Sequence, residues 1–201
     1  MQGRVMDVFG HNCPVGYADS MARSLSTSVV MVDPVDVQGG LSESEKRDNV
    51  IRLAFSGDAG GFQRFCGVLE EFVPPGTTTI LRGSAITGKR WKDGAPFDAD
   101  GPGTSDLDVT FVGNGCLQYF IATGFYVPNV HSRPLCDEDP DVAPTLVPLR
   151  KQLMEMVKRP VNLQASRDVV LSFRGDLLGQ PYLELFTKPE GLSLSKPSIL
   201  A

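Results

Sequence analysis

Asp106 and Asp108 stand two residues apart in the stretch DLDVTFV, whose polar–apolar alternation predicts a strand over 106–112. That spacing puts both carboxylates on one face with Thr110, and Leu107, Val109 and Phe111 on the other. Neighbouring carboxylates repel and raise each other's pKa, and a hard divalent cation relieves the repulsion. Mg²⁺ typically takes one or two carboxylates plus substrate phosphates. Upstream, the β-branched run Thr77–Arg82 predicts a strand that ends in Gly83-Ser84. Glycine lets backbone approach a ligand closely, and N–H groups with a Ser hydroxyl can hold phosphate oxygens. Arg82, Lys89, Arg90 and Lys92 form a basic group with no acid among them, whereas Asp93–Asp108 holds five aspartates and no Lys or Arg. The expected layout is a metal-bound polyphosphate gripped by Gly-Ser and the basic group, with Mg²⁺ or Mn²⁺ on Asp106 and Asp108. That is the outline of phosphoryl or nucleotidyl transfer. An Asp-x-Asp pair by itself is more often the solvent face of an amphipathic strand than a metal site; the Gly-Ser at the preceding strand end favours the site.

The order strand, Gly-Ser, loop, Asp-x-Asp strand resembles the signature of the DNA polymerase beta-like nucleotidyltransferases. The longer pattern, RGSAITG with PFD and SDLDV, is similar to small bacterial members of that superfamily, some of them toxin or effector modules. The resemblance covers 77–112 closely and 147–165 loosely. It implies an α+β (α/β-like) nucleotidyltransferase-like fold, a small mixed sheet flanked by helices. It also implies a magnesium-dependent, ATP-binding type of transferase that moves a nucleoside monophosphate from an NTP to an acceptor hydroxyl. By the resemblance, Gly83 and Ser84 contact the triphosphate and Asp106 and Asp108 hold metal. Thr87, Lys89 and Lys92 in the following loop extend the nucleotide site. Members usually carry a third carboxylate on a later strand. The strand after the third helix offers Asn162 and Gln164 instead, so Glu184 is the candidate third acid, ahead of Asp168 and Asp176. The alternative is a catalytically degenerate nucleotide-binding or protein-interaction module. Trp91 either stacks on a purine or is a partly buried residue of an exposed loop.

Other elements must position these residues. Ser42 and Glu45 have capping-box spacing and open a helix whose apolar side holds Val50, Ile51, Leu53 and Ala54. Phe62, Phe65, Leu69 and Phe72 predict a helix over 61–73 that packs into a core and stops at Pro74-Pro75-Gly76. A third helix is expected over 147–159 and strands over 161–165, 169–173 and 182–186, with a weaker one at 28–32. The Pro-rich segment 128–148, with acids at 137–139 and 141, reads as a solvated loop. Residues 1–40 form an extension of uncertain structure before one domain over 41–201.

The chain has 201 residues, a net charge of −5, 21 glycines and 15 prolines. The acidic balance argues against a general nucleic-acid binder, so no DNA partner is expected; the acceptor stays open among RNA or tRNA, which the local basic group could serve, protein and a small molecule. No apolar run approaches a membrane span and the first residues lack a signal-peptide core, which predicts a soluble, cytoplasmic protein. Four scattered cysteines without a CxxC pair and two histidines make a zinc site improbable. Asp98-Ala-Asp100-Gly is no calcium loop, because Val109 stands where a bidentate Glu is required.

Overall fold

A computed structural model of the chain describes residues 40–167 and 181–190. The expected strands at 28–32 and 169–173, with Asp168 and Asp176, lie outside the described residues. Two helices come first, α1 (Glu43–Ala54) and α2 (Ala59–Phe72). The capping box of α1 is formed in full: Ser42 Oγ accepts from the Glu45 N–H, and the Glu45 carboxylate accepts from the Ser42 N–H. Asp58 caps α2 through the Gly61 N–H at 2.8 Å. The chain then forms β1 (Thr77–Arg82), the single helical turn α3 (Ser84–Thr87) and β2 (Leu107–Val112). After a 3₁₀ turn over Asn114–Tyr119 come β3 (Phe125–Val127), β4 (His131–Ser132), α4 (Val147–Val157), β5 (Val161–Ser166) and β6 (Tyr182–Lys188).

The six strands make one mixed sheet in the order β3-β4-β5-β2-β1-β6. β2 is antiparallel to β1 and parallel to β5, so the two site strands lie at the centre of the sheet. Register then fixes two kinds of row. Leu183, Leu81, Val109 and Leu163 align across four strands, and all are nearly inaccessible. This row joins Val50, Phe62, Phe65, Leu69 and Leu153 of the helices in one core. Phe55 makes edge contacts with Phe62 and Phe65 at 5.3 and 5.4 Å, so the aromatic stripe of α2 is core packing. The next row along, Tyr182, Arg82, Asp108 and Asn162, faces the other side of the sheet and is polar.

The fold is therefore α+β, as expected, with three differences of detail. Segment 128–148 is not wholly loop: His131–Ser132 pairs with β5, and Pro144–Leu146 forms a 3₁₀ turn that leads into α4. Strands of two or three residues carry too little pattern to be seen in sequence. α4 stops at Val157, because Lys158 turns left-handed with φ 54°. β2 starts one residue after Asp106.

The loop between α3 and β2 is anchored rather than free. Asp98, at φ 58°, accepts backbone N–H groups of Gly103 and Ser105 at 3.0 and 2.9 Å. Arg159 donates to both oxygens of that carboxylate, at 3.0 and 3.3 Å, and lies 4.6 Å over the Phe97 ring. Its Nη1 also donates to the Ser105 carbonyl at 3.0 Å. One guanidinium thus ties the chain just before Asp106 to the end of α4. Burial pushes the Asp98 pKa up, but Arg159 and the two N–H groups outweigh it, and Asp98 ends below the usual carboxylate range. Its contribution to stability is present at neutral pH and is lost as pH falls below about 4. Asp98→Ala leaves Arg159, 9% exposed, without its carboxylate. The expected loss is about 2–4 kcal/mol at pH 7, shrinking in acid, measured by denaturant unfolding at several pH values.

Candidate functional site

The site is built from the polar row. Asn162 stands beside Asp108 in the parallel pairing of β2 and β5. Its Nδ2 donates to Asp106 Oδ2 at 2.7 Å and to Asp108 Oδ1 at 3.0 Å. One neutral amide therefore clasps both carboxylates. On the other side, Arg82 is paired in register with Asp108. Its Nη2, however, donates to Gln164 Oε1 at 2.7 Å, and its buried Nε has no partner. Burial lowers the Arg82 pKa while the Asp108 charge opposes that. Asp108 responds the other way. Burial raises its pKa, the Asp106 charge raises it further, and Asn162 and Arg82 only partly offset them.

Gly83 abuts this pair. It sits at φ 92°, ψ −166°, a backbone conformation open to glycine. A Cβ there would lie 3.2 Å from Asp108 Oδ2, so backbone and carboxylate are in near contact. Ser84 follows as the first residue of α3 and is buried.

Two cavities are lined in part by the neighbouring residues Gly83 and Ser84. One of about 280 Å³ is lined by Ser84, Asp106 and Asn162 together with Arg90, Asp137 and Glu138. The other is small, about 20 Å³, and is formed by Gly83, Thr87, Lys89, Trp91 and Pro181. Trp91 is 63% exposed at its rim. The structure thus brings Asp106, Asp108, Gly83 and Ser84 together, with Thr87 and Lys89 alongside.

It does not bring Glu184 or Lys92 to them. Glu184 lies opposite Ile80, with β1 between it and the aspartates. It is exposed and its Oε1 accepts from Thr187 Oγ1 at 2.9 Å. The place beside Asp108 belongs to Asn162, an amide. Lys92 is exposed in the loop and lines neither cavity. The basic group expected around it is also dispersed. Arg82 turns under the sheet face to Gln164, and Arg90 is held by Asp100 at 2.9 Å and by Asp93 at 3.5 Å. Sequence proximity of charges on a long loop says little about where their side chains point.

A polar chain continues behind the pair. Because Arg82 can only donate, Gln164 Oε1 must face it, and Gln164 Nε2 donates to the Ser132 carbonyl at 2.7 Å. The same Nε2 lies 3.2 Å from His131 Nε2, which must then be the unprotonated nitrogen. His131 is a neutral imidazole whose Nδ1–H donates to Ser166 Oγ at 2.7 Å. Burial and then the Arg82 charge hold its pKa below the ordinary value.

The donor set fits one hard cation. Two crowded carboxylates face the same space, and a half-turn of the Asn162 amide presents oxygen instead of NH₂. Among the described residues no three His, Cys, Asp or Glu side chains converge. Asp106 and Asp108 would hold such an ion with its remaining positions filled by water or substrate oxygens.

Comparison with family models, with curated proteins and with solved structures finds no match to this chain. No helix among the described residues is long and apolar enough to cross a membrane.

Two outcomes follow from the charges. The native state binds a proton on Asp108 more readily than the unfolded chain, so stability falls as pH rises from about 4 through the raised Asp108 pKa. The double variant Asp106→Asn/Asp108→Asn should therefore melt a few degrees higher than the wild type at pH 7 without metal. Mg²⁺ or Mn²⁺ should raise the melting temperature of the wild type alone. His131 works with the opposite sign: stability is lost as pH falls below about 6.5, since the folded state resists protonation. His131→Gln should flatten that limb of the thermal-stability profile.

Proposed function

We propose that the chain is a divalent-cation-dependent nucleotidyltransferase that moves a nucleoside monophosphate from an NTP to an acceptor hydroxyl. The observation that carries this reading is the contact of Gly83 with an Asp106–Asp108 pair clasped by Asn162. A phosphate-accommodating backbone turn and a paired carboxylate site lie within one side chain of each other. In the reaction the acceptor oxygen attacks the α-phosphorus, the bond to the β-phosphate breaks, and pyrophosphate leaves with its electron pair. The hydroxyl proton passes to water or to a carboxylate of the pair. The cation, when bound, supplies charge neutralisation of the transferring phosphoryl group.

The chain's own residues do the rest. Asp106 and Asp108 bind, and Asn162 holds their carboxylates at a common distance. Gly83 and Ser84 bring backbone and hydroxyl to the phosphates. Lys89 and Trp91, which line a small cavity with Gly83, offer a cation and an exposed ring for the nucleotide. Anchoring of the loop by Asp98 and Arg159 keeps Asp106 in place, a positioning effect.

Asn162 favours a second reading, a nucleotide-binding module without turnover. An amide cannot take the acceptor's proton as a third carboxylate could. Incubation with α-labelled NTPs, Mg²⁺ and an acceptor panel separates the two. The transferase reading expects labelled acceptor, lost by at least about a hundredfold in Asp106→Asn/Asp108→Asn. Nucleotide binding by calorimetry with no labelled product from any NTP supports the second reading. Transfer undiminished in the double variant overturns the first.

A further inference from the structure

The polar row that holds Asp108 contains a cation of its own, and the structure keeps the two apart. Arg82 aligns with Asp108 and Asn162 across the sheet, whereas Gln164 aligns with Thr110, one row further along. Yet Arg82 Nη2 donates to Gln164 Oε1 at 2.7 Å. β2 lies between β1 and β5, so the arginine leans diagonally across β2, out of the row of the aspartate. Among the described residues no ion pair joins Arg82 to Asp108.

A guanidinium gains more from a carboxylate, which can take two parallel N–H groups, than from a neutral amide. The diagonal position also leaves Arg82 Nε buried without a partner, and the Thr110 hydroxyl, 3% exposed, likewise has none. What holds the arginine there is the fixed orientation of one amide. Gln164 is buried, with its Nε2 donating to the Ser132 carbonyl at 2.7 Å and set against His131 Nε2 at 3.2 Å. Ser132 is itself tied to β5, since its Oγ accepts the Ala165 N–H at 2.9 Å, and His131 is tied there through Ser166. With its nitrogen engaged in this way the amide cannot turn over, and its oxygen stays aimed at the guanidinium.

The consequence lies at Asp108. Its Oδ1 accepts from Asn162, and its Oδ2 lies against Gly83 with no hydrogen bond from any described residue. An arginine brought into line with Asp108 would take that oxygen and cancel its charge, in direct competition with a cation on Asp106 and Asp108.

We infer that Gln164 is a positioning residue of the cation site: it draws Arg82 off Asp108 and so leaves the carboxylate pair open to a divalent ion. This rests on the reading of Asp106 and Asp108 as the ion's ligands. Arg82 has two places on the sheet, on Gln164 with the site open and on Asp108 with the site closed. The cradle of Ser132 and His131 around Gln164 selects the first.

Mn²⁺ binding to the full chain, measured by calorimetry without nucleotide, tests this in a double-mutant cycle. Gln164→Leu should bind Mn²⁺ about tenfold more weakly than the wild type, because Arg82 then turns to Asp108. Arg82→Gln should bind at least as tightly as the wild type, and adding it to Gln164→Leu should restore that affinity. A merely structural contribution of Gln164 would not be cured by removing its partner. Circular dichroism checks the fold of each variant. Should the leucine variant not fold, Gln164→Asn, an amide one methylene shorter, carries the same expectations. Unchanged affinity in a folded Gln164 variant overturns the inference, and so does a double variant as weak as the single one. A wild type that binds no Mn²⁺ overturns the cation site and this inference with it, whereas wild-type binding without coupling between Arg82 and Gln164 overturns this inference alone.

Discussion

A carboxylate placed at the centre of a sheet beside a second carboxylate is an unfavourable arrangement, and much of this structure consists of what makes it tolerable. Asp108 is on β2, flanked by β1 and β5, where solvent reaches it poorly. Asp106 adds like charge. The neighbouring strands answer with Arg82 on one side and Asn162 on the other, in the same row. Neither fully neutralises the pair: Arg82 spends its hydrogen bond on Gln164, and Asn162 contributes only a dipole. The remaining repulsion is a store of free energy that a cation can release. That is a stronger argument for an ion than the presence of two acids, because stability alone would favour amides at these positions.

From this constraint the polar half of the fold can be followed outward. Gln164 must present its oxygen to Arg82, which turns its nitrogen to Ser132 and His131 and leaves the imidazole neutral. The short strand β4, a single ladder pair to Ser166, brings His131 and Ser132 there. A strand of two residues thus completes the hydrogen bonding of a buried amide that holds the arginine beside the aspartate. On the opposite face the same strands are apolar apart from the buried Thr77 and Thr79 of β1, so helix packing and site chemistry are separated by the alternation of side chains along β1, β2 and β5.

Much of this was legible in the sequence, and the boundary between legible and illegible is physical. The capping box at Ser42 and Glu45, the aromatic stripe of α2 and the strand at 77–82 are local patterns, and local patterns survive folding. The shared face of Asp106 and Asp108 follows from strand geometry alone. Glu184 shows where this stops. Its apolar flanks mark a strand correctly, but strand order decides which strand lies next to β2, and order is a long-range property. β5 takes that position, and the amide already visible at Asn162 stands there. The basic group is dispersed for a related reason: Arg82 turns to Gln164 and Arg90 to Asp93 and Asp100, contacts that the spacing of charges does not show. The acidic run at 137–139 is at the surface as expected, with Asp137 and Glu138 exposed; what the sequence does not show is that Arg150, from a helix thirteen residues on, donates to Asp137.

The long Gly- and Pro-rich loop then takes on a definite role. A tight connection between antiparallel neighbours such as β1 and β2 needs only a few residues. The chain uses far more, and fixes them with the Asp98–Arg159 pair at one end and Arg90 with Asp93 and Asp100 at the other. The excess length is folded beside the aspartates rather than paid out into solvent as slack. It places Lys89 and Trp91 beside Gly83, and Arg90 and Asp100 in the wall that also holds Ser84 and Asp106. Arg90 is engaged by Asp93 and Asp100 and Arg159 by Asp98, so the shape of the loop rests on ion pairs to its own acids, whereas Arg82, beside the carboxylate pair, has Gln164 as its partner.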